Sequence, residues 1–275
     1  MKHLWAAIRL DISESLRARW FQIYALMFVG LIVLLFASGL ASSRVLGFTG
    51  LSRVLMIYVQ LAMAILPIFI LISTVRSIAG DRDAGVFEYL LSLPIPLASW
   101  YWGRLLGRFI AIFSPLVIAI GGAMLWTLIQ HEPIEWSHFF YCGGLVVSLA
   151  ACFIGFGFLL SAVARTADLA QGLAFFVWLT LILFIDVVLL GLLVGSDIKP
   201  EVVIGVALIN PLQVFRTASI MIFDHNLMLL GPSAFVIFDI FGHRGFLVYA
   251  LLYPAIIGIG AAFVGYRVFR KRDLV

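Results

Sequence analysis

The sequence predicts an all-α membrane protein with six transmembrane helices, and three observations point to it. Of 275 residues, 64% are hydrophobic and 12% charged, with a mean hydropathy of +1.15, whereas soluble domains are about 45–50% apolar and about 25% charged. Six apolar runs approach or exceed the about 20 residues that a bilayer-crossing helix needs, and none contains Lys or Arg. The runs are Trp20 to Ser42, Val54 to Val75, Phe109 to Gln130, Phe139 to Val163, Gly172 to Gly195 and Phe246 to Tyr266. The third observation is charge. With the N-terminus inside, 13 of the 18 cations fall in cytoplasmic segments, and only Arg44, Arg53, Lys199, Arg216 and Arg244 remain outside. An even helix count returns the C-terminus to the cytoplasm. The net charge of +4 is therefore a matter of topology. Dispersed over separate loops, it makes no stripe for nucleic acid.

In chain order, residues 1–19 carry Leu4, Ile8, Ile12, Leu16 and Trp20 at four-residue spacing, with Lys2, Arg9, Ser13, Glu14 and Arg17 mainly on other faces. That pattern predicts an amphipathic helix lying on the inner leaflet. The first apolar run starts at Trp20, too deep for a cleaved signal peptide. Pro67, Pro115 and Pro254 sit inside spans and should bend them. Gly144, Ser148 and Cys152 in the fourth run, and Gly258 with Ala262 in the sixth, allow close helix approach. Cys142 and Cys152 lie on one helix, about 15 Å apart at 1.5 Å per residue, and cannot pair. Between the last two spans, residues 196–244 hold Asn210, Pro211, Gln213 and Arg216 amid apolar residues. An Arg at mid-membrane costs about 2.5 kcal/mol or more, which argues for apolar helices at the outer surface or re-entrant elements; an eight-span arrangement is the competitor.

The cytoplasmic loop 76–108 is the most patterned segment. Gly85 is placed to start a short helix that Pro94 ends, with Glu88 in its first turn. Phe87, Leu90, Leu91 and Pro94 then share an apolar face beside Asp81, Arg82, Asp83 and Glu88, the layout of a docking element for a cytoplasmic partner. The run Asp81-Arg82-Asp83-Ala84-Gly85-Val86-Phe87-Glu88-Tyr89-Leu90-Leu91-Ser92-Leu93-Pro94 resembles the signature of the type-2 ABC exporter permeases, with Val86 where that family usually has Thr. The resemblance implies that this loop is the coupling helix seating in a cytoplasmic ATPase dimer, that ATP and Mg belong to that partner, and that two copies of the permease close the bundle. Trp100-Tyr101-Trp102-Gly103-Arg104 and Asn210-Pro211-Leu212-Gln213-Val214-Phe215-Arg216 narrow the likeness to permeases of the nitrous oxide reductase maturation transporters of the bacterial inner membrane. Those are implied to work with a periplasmic accessory protein in copper-site assembly. Independently, no lysine follows a glycine, so the chain lacks a phosphate-cradling G-x-x-x-x-G-K-[ST] loop.

Copper transit would demand soft ligands within the spans, and no span holds a His. Met221, His225 and Met228 would share one face outside if that segment is helical, a candidate soft-metal set for which a packing face is the preferred reading. Asp186 is the one carboxylate deep in a span. A protonated, hydrogen-bonded group there is preferred over a proton relay or a dimer-axis contact. Spans so poor in polar groups suit a mechanical relay, or an exporter of an apolar or lipid-like substrate. A lipid-modifying membrane enzyme would need clustered acids or histidines at one interface; His131, Glu132, Glu135 and His138 share one short outer loop and could also bind metal, but their spacing matches no helical ligand pair and a solvated loop rim is the preferred reading. A proton-coupled secondary transporter would show inverted repeats, and none is visible.

Overall fold

The computed structural model describes residues 2–37, 50–86, 96–129, 136–184, 187, 191, 200–223 and 233–272. Every element among them is helical. Helix α1 (Lys2–Arg17) meets α2 (Arg19–Ala37) in a bend of 73°. Then follow α3 (Gly50–Asp83), α4 (Leu97–Ile129), α5 (Trp136–Val163) and α6 (Ala167–Leu179), the last continued by a π-helical turn, Thr180–Phe184. Two short helices, α7 (Pro200–Ala207) and α8 (Pro211–Phe223), precede the long α9 (Ser233–Arg272).

Four described helices, α3, α4, α5 and α9, are long and apolar enough to cross a membrane, and the bent α1–α2 pair makes a fifth if counted as one span. The expected fifth run is apolar and helical from Ala167 to Leu183, and most of its remainder, Asp186 included, lies outside the described residues. The helices also outrun the apolar stretches. Helix α3 continues two turns past Val75 to Asp83 and α4 begins at Leu97, so most of segment 76–108 is helix and the connection proper is 84–96. Hydropathy falls where a helix leaves lipid, but hydrogen bonding does not require the helix to stop there.

The core is built on α5, which packs α9 on one side and α3 on another. Glycine permits the α5–α9 approach. A Cβ on Gly155 would lie 1.9 Å from the Gly258 carbonyl oxygen, and one on Gly258 would lie 2.3 Å from that of Ala151. The expected stripe of small residues is present, with its tightest point one turn beyond Cys152. The prolines leave backbone groups that neighbours satisfy. Ser114 Oγ donates to the Ala111 carbonyl (2.8 Å), the group Pro115 deprives of its donor. Beside Pro254, Ser148 Oγ donates to the Leu251 carbonyl (2.6 Å) and accepts from Ala255 N–H (3.1 Å), pinning α5 to the α9 backbone. Both cysteines are free and buried.

The segment after α6 is broken where the sequence placed its polar cluster. Helix α8 has 13 residues, too short to span, and it packs on α3, α5 and α9 through Val214, Phe215 and Ala218 while Arg216 is exposed. Ser233 onward is the first arm of α9, bent at Gly242, whose φ of 66° suits glycine.

Replacing Gly258 by Val should lower stability by about 1–3 kcal/mol or more in thermal unfolding in detergent. Gly30, with nothing within 4 Å of an added Cβ, should tolerate Ala with little change.

Candidate functional site

A membrane protein confines its charges, so a buried ionic cluster marks a position where the fold has little freedom. Such a cluster joins α1, α3 and α4 at the arginine-rich end of the bundle. It is made by close approach. Gly103 and Gly107 sit on α4 at four-residue spacing; a Cβ on the first would meet that of Ala7 at 2.5 Å, and one on the second would lie 2.8 Å from both Asp11 Cβ and the Ile8 carbonyl oxygen. With α1 thus laid against the α4 backbone, the arginine after each glycine reaches around to its carboxylates.

Arg104 NH2 lies 2.8 Å from Glu14 Oε2, its NH1 pairs with Asp81 and also donates to the Ser77 carbonyl (2.6 Å), and its Nε is 3.7 Å from Asp11 Oδ1. The Arg104 guanidinium also sits 5.1 Å from the centroid of Trp100. Arg108 NH2 donates to Asp11 Oδ1 (2.9 Å), and its NH1 donates to the Ser73 carbonyl (3.0 Å). The side chains of Asp11 and Arg104 are 0% and 7% exposed. Two guanidiniums thus serve three carboxylates. Burial pushes the Asp11 carboxyl above its ordinary pKa, against the opposing pull of Arg108 and Arg104.

The end of α3 is a clasp for its neighbours. Asp81 holds α4 through Arg104, Arg82 donates to the Ala164 carbonyl at the end of α5, and Asp83 Oδ2 accepts the Ala167 N–H (2.6 Å) at the start of α6. A carboxylate at that N-terminus is favoured by the helix dipole, and Thr166 completes the cap by accepting from Leu169 N–H (3.2 Å). Ser161 of α5 accepts from Ile78 and Ala79 N–H, both at 3.0 Å. Gly85, at φ 68°, then closes α3. The aromatic run beside the cluster seats α9: Trp100 stacks on Phe269 (5.6 Å), and Tyr101 OH donates to the Ala262 carbonyl (2.8 Å).

A second joint lies at the far end, Tyr249 being 18 residues before Arg267, about 27 Å along α9. Buried Asn210 donates to the Leu181 carbonyl in the π turn (2.7 Å) and accepts from Leu212 N–H (3.0 Å), capping α8. Tyr249 and Tyr253 donate to the Leu208 and Ile209 carbonyls (3.0 and 2.5 Å).

Of the residues singled out in the sequence, Asp81 and Arg82 turn inward, whereas Asp83 stays exposed while capping α6. Gly85 ends α3, and Val86 is again helical. Phe87, Glu88, Leu90, Leu91 and Pro94 lie outside the described residues, as do Asp186, His225 and Met228. Met221 is packed in the apolar core. Among the described residues no three His, Cys, Asp or Glu side chains gather to hold a metal. The face α1 buries is Ala7, Ile8, Asp11 and Ser15, so of the Leu4 to Trp20 stripe only Ile8 is fully buried, and Leu16 and Trp20 are exposed. Sequence reasoning missed the cluster of Asp11, Glu14, Arg104 and Arg108. The signal available was Gly-x-x-x-Gly in Gly103-Arg104-Leu105-Leu106-Gly107-Arg108.

The model of the ABC-2 family transporter proteins matches residues 5–274. The chain is 29% identical over 237 residues to the probable ABC transporter permease protein NosY of Stutzerimonas stutzeri, covering 84% of this chain and 86% of that one. It is 26% identical over 230 residues to the probable ABC transporter permease protein NosY of Pseudomonas aeruginosa, covering 82% and 84%.

Removing Arg104 as Met would leave Asp11 and Asp81 without their shared partner and should cost about 3–5 kcal/mol. Adding Asp81→Asn should recover part of that loss. Thermal unfolding of the single and double variants measures both, and strictly additive losses would contradict a shared site.

Proposed function

From its membership of the ABC-2 family of transporter proteins, to which this chain belongs, we propose that it is the permease that couples a separate cytoplasmic ATPase dimer to a task across the membrane. Two copies form the bundle, with both termini cytoplasmic in a bacterial inner membrane. ATP and Mg bind the partner.

The observation that carries the reading is the clasp at Asp81, Arg82 and Asp83. A force on loop 84–96 enters α3 at Gly85, and the residues just before that point are bonded to α4, α5 and α6. Displacement of a docked loop would therefore move helix ends together. Asp81 and Arg82 act as positioning residues. Contact with the ATPase falls to Phe87, Glu88, Leu90, Leu91 and Pro94, with Asp83 at the edge. At the other end, the Asn210 joint ties the π turn after α6 to α8 and α9, where a periplasmic accessory protein would receive the motion.

The task we assign is assembly of the copper sites of nitrous oxide reductase, supported by the likeness to NosY permeases over more than four-fifths of the chain. Mechanical transmission is favoured over ion passage by the spans' scarcity of charged and soft-ligand side chains, and by serines such as Ser114 and Ser148 that bond to backbone within the bundle.

Purification of the untagged complex should bring down an ATPase with this chain. Glu88→Arg should reduce that co-purification at least about tenfold, the weight of roughly 1.4 kcal/mol at an interface, with insertion unchanged. Full retention of the ATPase by that variant would overturn the docking assignment.

A further inference from the structure

Beneath the α1–α2 elbow lies a cavity of about 400 Å³, enclosed by α2, α3, α4 and the first turns of α6. That volume is in the range of about 300–1,000 Å³ found for small-molecule sites. Its body is apolar, built from Phe21, Tyr24, Ile68, Phe69, Ile72 and Ile112. One end is basic and polar, with Arg76, Arg108, Ser73 and Gln171, and no acidic residue lines the cavity. Arg108 is already engaged by Asp11, but exposed Arg76 has no ion pair among the described residues. Exposed Arg17 and Arg19 flank Ala18, which lines the same cavity beside exposed Trp20.

An apolar slot with cationic groups at one end selects an amphiphile whose head is an anion. Its depth is fixed by the same residues. Trp and Arg mark the interface of a membrane protein, and Arg76 and Arg108 lie where α3 and α4 leave their apolar stretches. We propose that this cavity binds an anionic phospholipid of the leaflet facing the clasp, with its headgroup on Arg76 and an acyl chain against Phe21, Phe69 and Ile72. The leaflet is the inner one on the orientation proposed above. Two of the cavity's walls, α3 and α4, carry the ionic cluster, so a bound lipid would wedge beside the Asp11–Arg108 pair. Basic segments at a membrane surface draw anionic lipids by about 1 kcal/mol per cation, or roughly fivefold in affinity.

Native mass spectrometry of the complex, titrated with phosphatidylglycerol or phosphatidylethanolamine, tests this. Wild type should retain one phosphatidylglycerol at collision energies that strip phosphatidylethanolamine. Arg76→Gln should weaken phosphatidylglycerol about fivefold and leave phosphatidylethanolamine unchanged, and Ser73→Phe, which fills the cavity, should remove the tight adduct. Equal retention of both lipids by wild type, or a preference unchanged in Arg76→Gln, would overturn the site and leave only annular lipid. Should Ser73→Phe not fold, Arg76→Gln decides alone. The readout uses neither ATP nor a partner's activity, so its failure would leave the permease reading standing, and loss of ATPase co-purification would leave the lipid site standing.

Discussion

Arg104 is a guanidinium carried into the interior of a membrane protein, where an unpaired cation would be untenable. Its partners come from three places in the chain: Glu14 and Asp11 on α1, Asp81 and the Ser77 carbonyl on α3, and the face of Trp100 on its own helix. Without Arg104, half-buried Asp81 would lose its ionic partner. The position of α1 against Gly103 and Gly107, the register of α3 against α4, and the seating of α9 on the aromatic run next to Arg104 all follow from that requirement. Such a cluster adds less to net stability than an apolar core of equal volume would, since desolvation offsets attraction. What it imposes is a single arrangement.

That constraint gives the bundle two fixed ends. At the basic end, charges bind helix termini to one another; at the opposite end, Asn210, Tyr249 and Tyr253 do the same with neutral hydrogen bonds to carbonyls freed by a π turn and a helix break. Between them runs the glycine seam of α5 and α9, too tight to admit any side chain at Gly155 or Gly258. Interiors this closely packed shift between discrete arrangements more readily than they deform.

Much of this fold was legible in the sequence. Apolar runs without cations located the four long spanning helices, and the polar group around Asn210 marked a break, whereas bends among the described residues fall between Arg17 and Arg19 and at Gly242, away from the prolines. Helix ends were less legible, because charges at Asp81 to Asp83 and at Arg104 to Arg108 read as loop when they are paired within helices. The face that α1 turns to the bundle was not legible, for a related reason. In lipid, the polar side of a helix is often the one turned to the protein, so Asp11 and Ser15 went inward while Trp5 and Leu16 stayed outside. Met221, for which packing is the preferred reading over a ligand role, lies in the core. Pairings such as Arg104 with Glu14, 90 residues apart, carry no local signal.

The central claim is that the basic ends of α1, α3 and α4 move as one body. Pulsed electron paramagnetic resonance between spin labels at Arg9 on α1 and Gly80 on α3, in the assembled transporter, measures it directly. The account predicts a narrow distance distribution that is the same with and without ATP, and that broadens when Arg104 is replaced by Gln. A wild-type distance that shifts with nucleotide, or a distribution that stays narrow in Arg104→Gln, would contradict it.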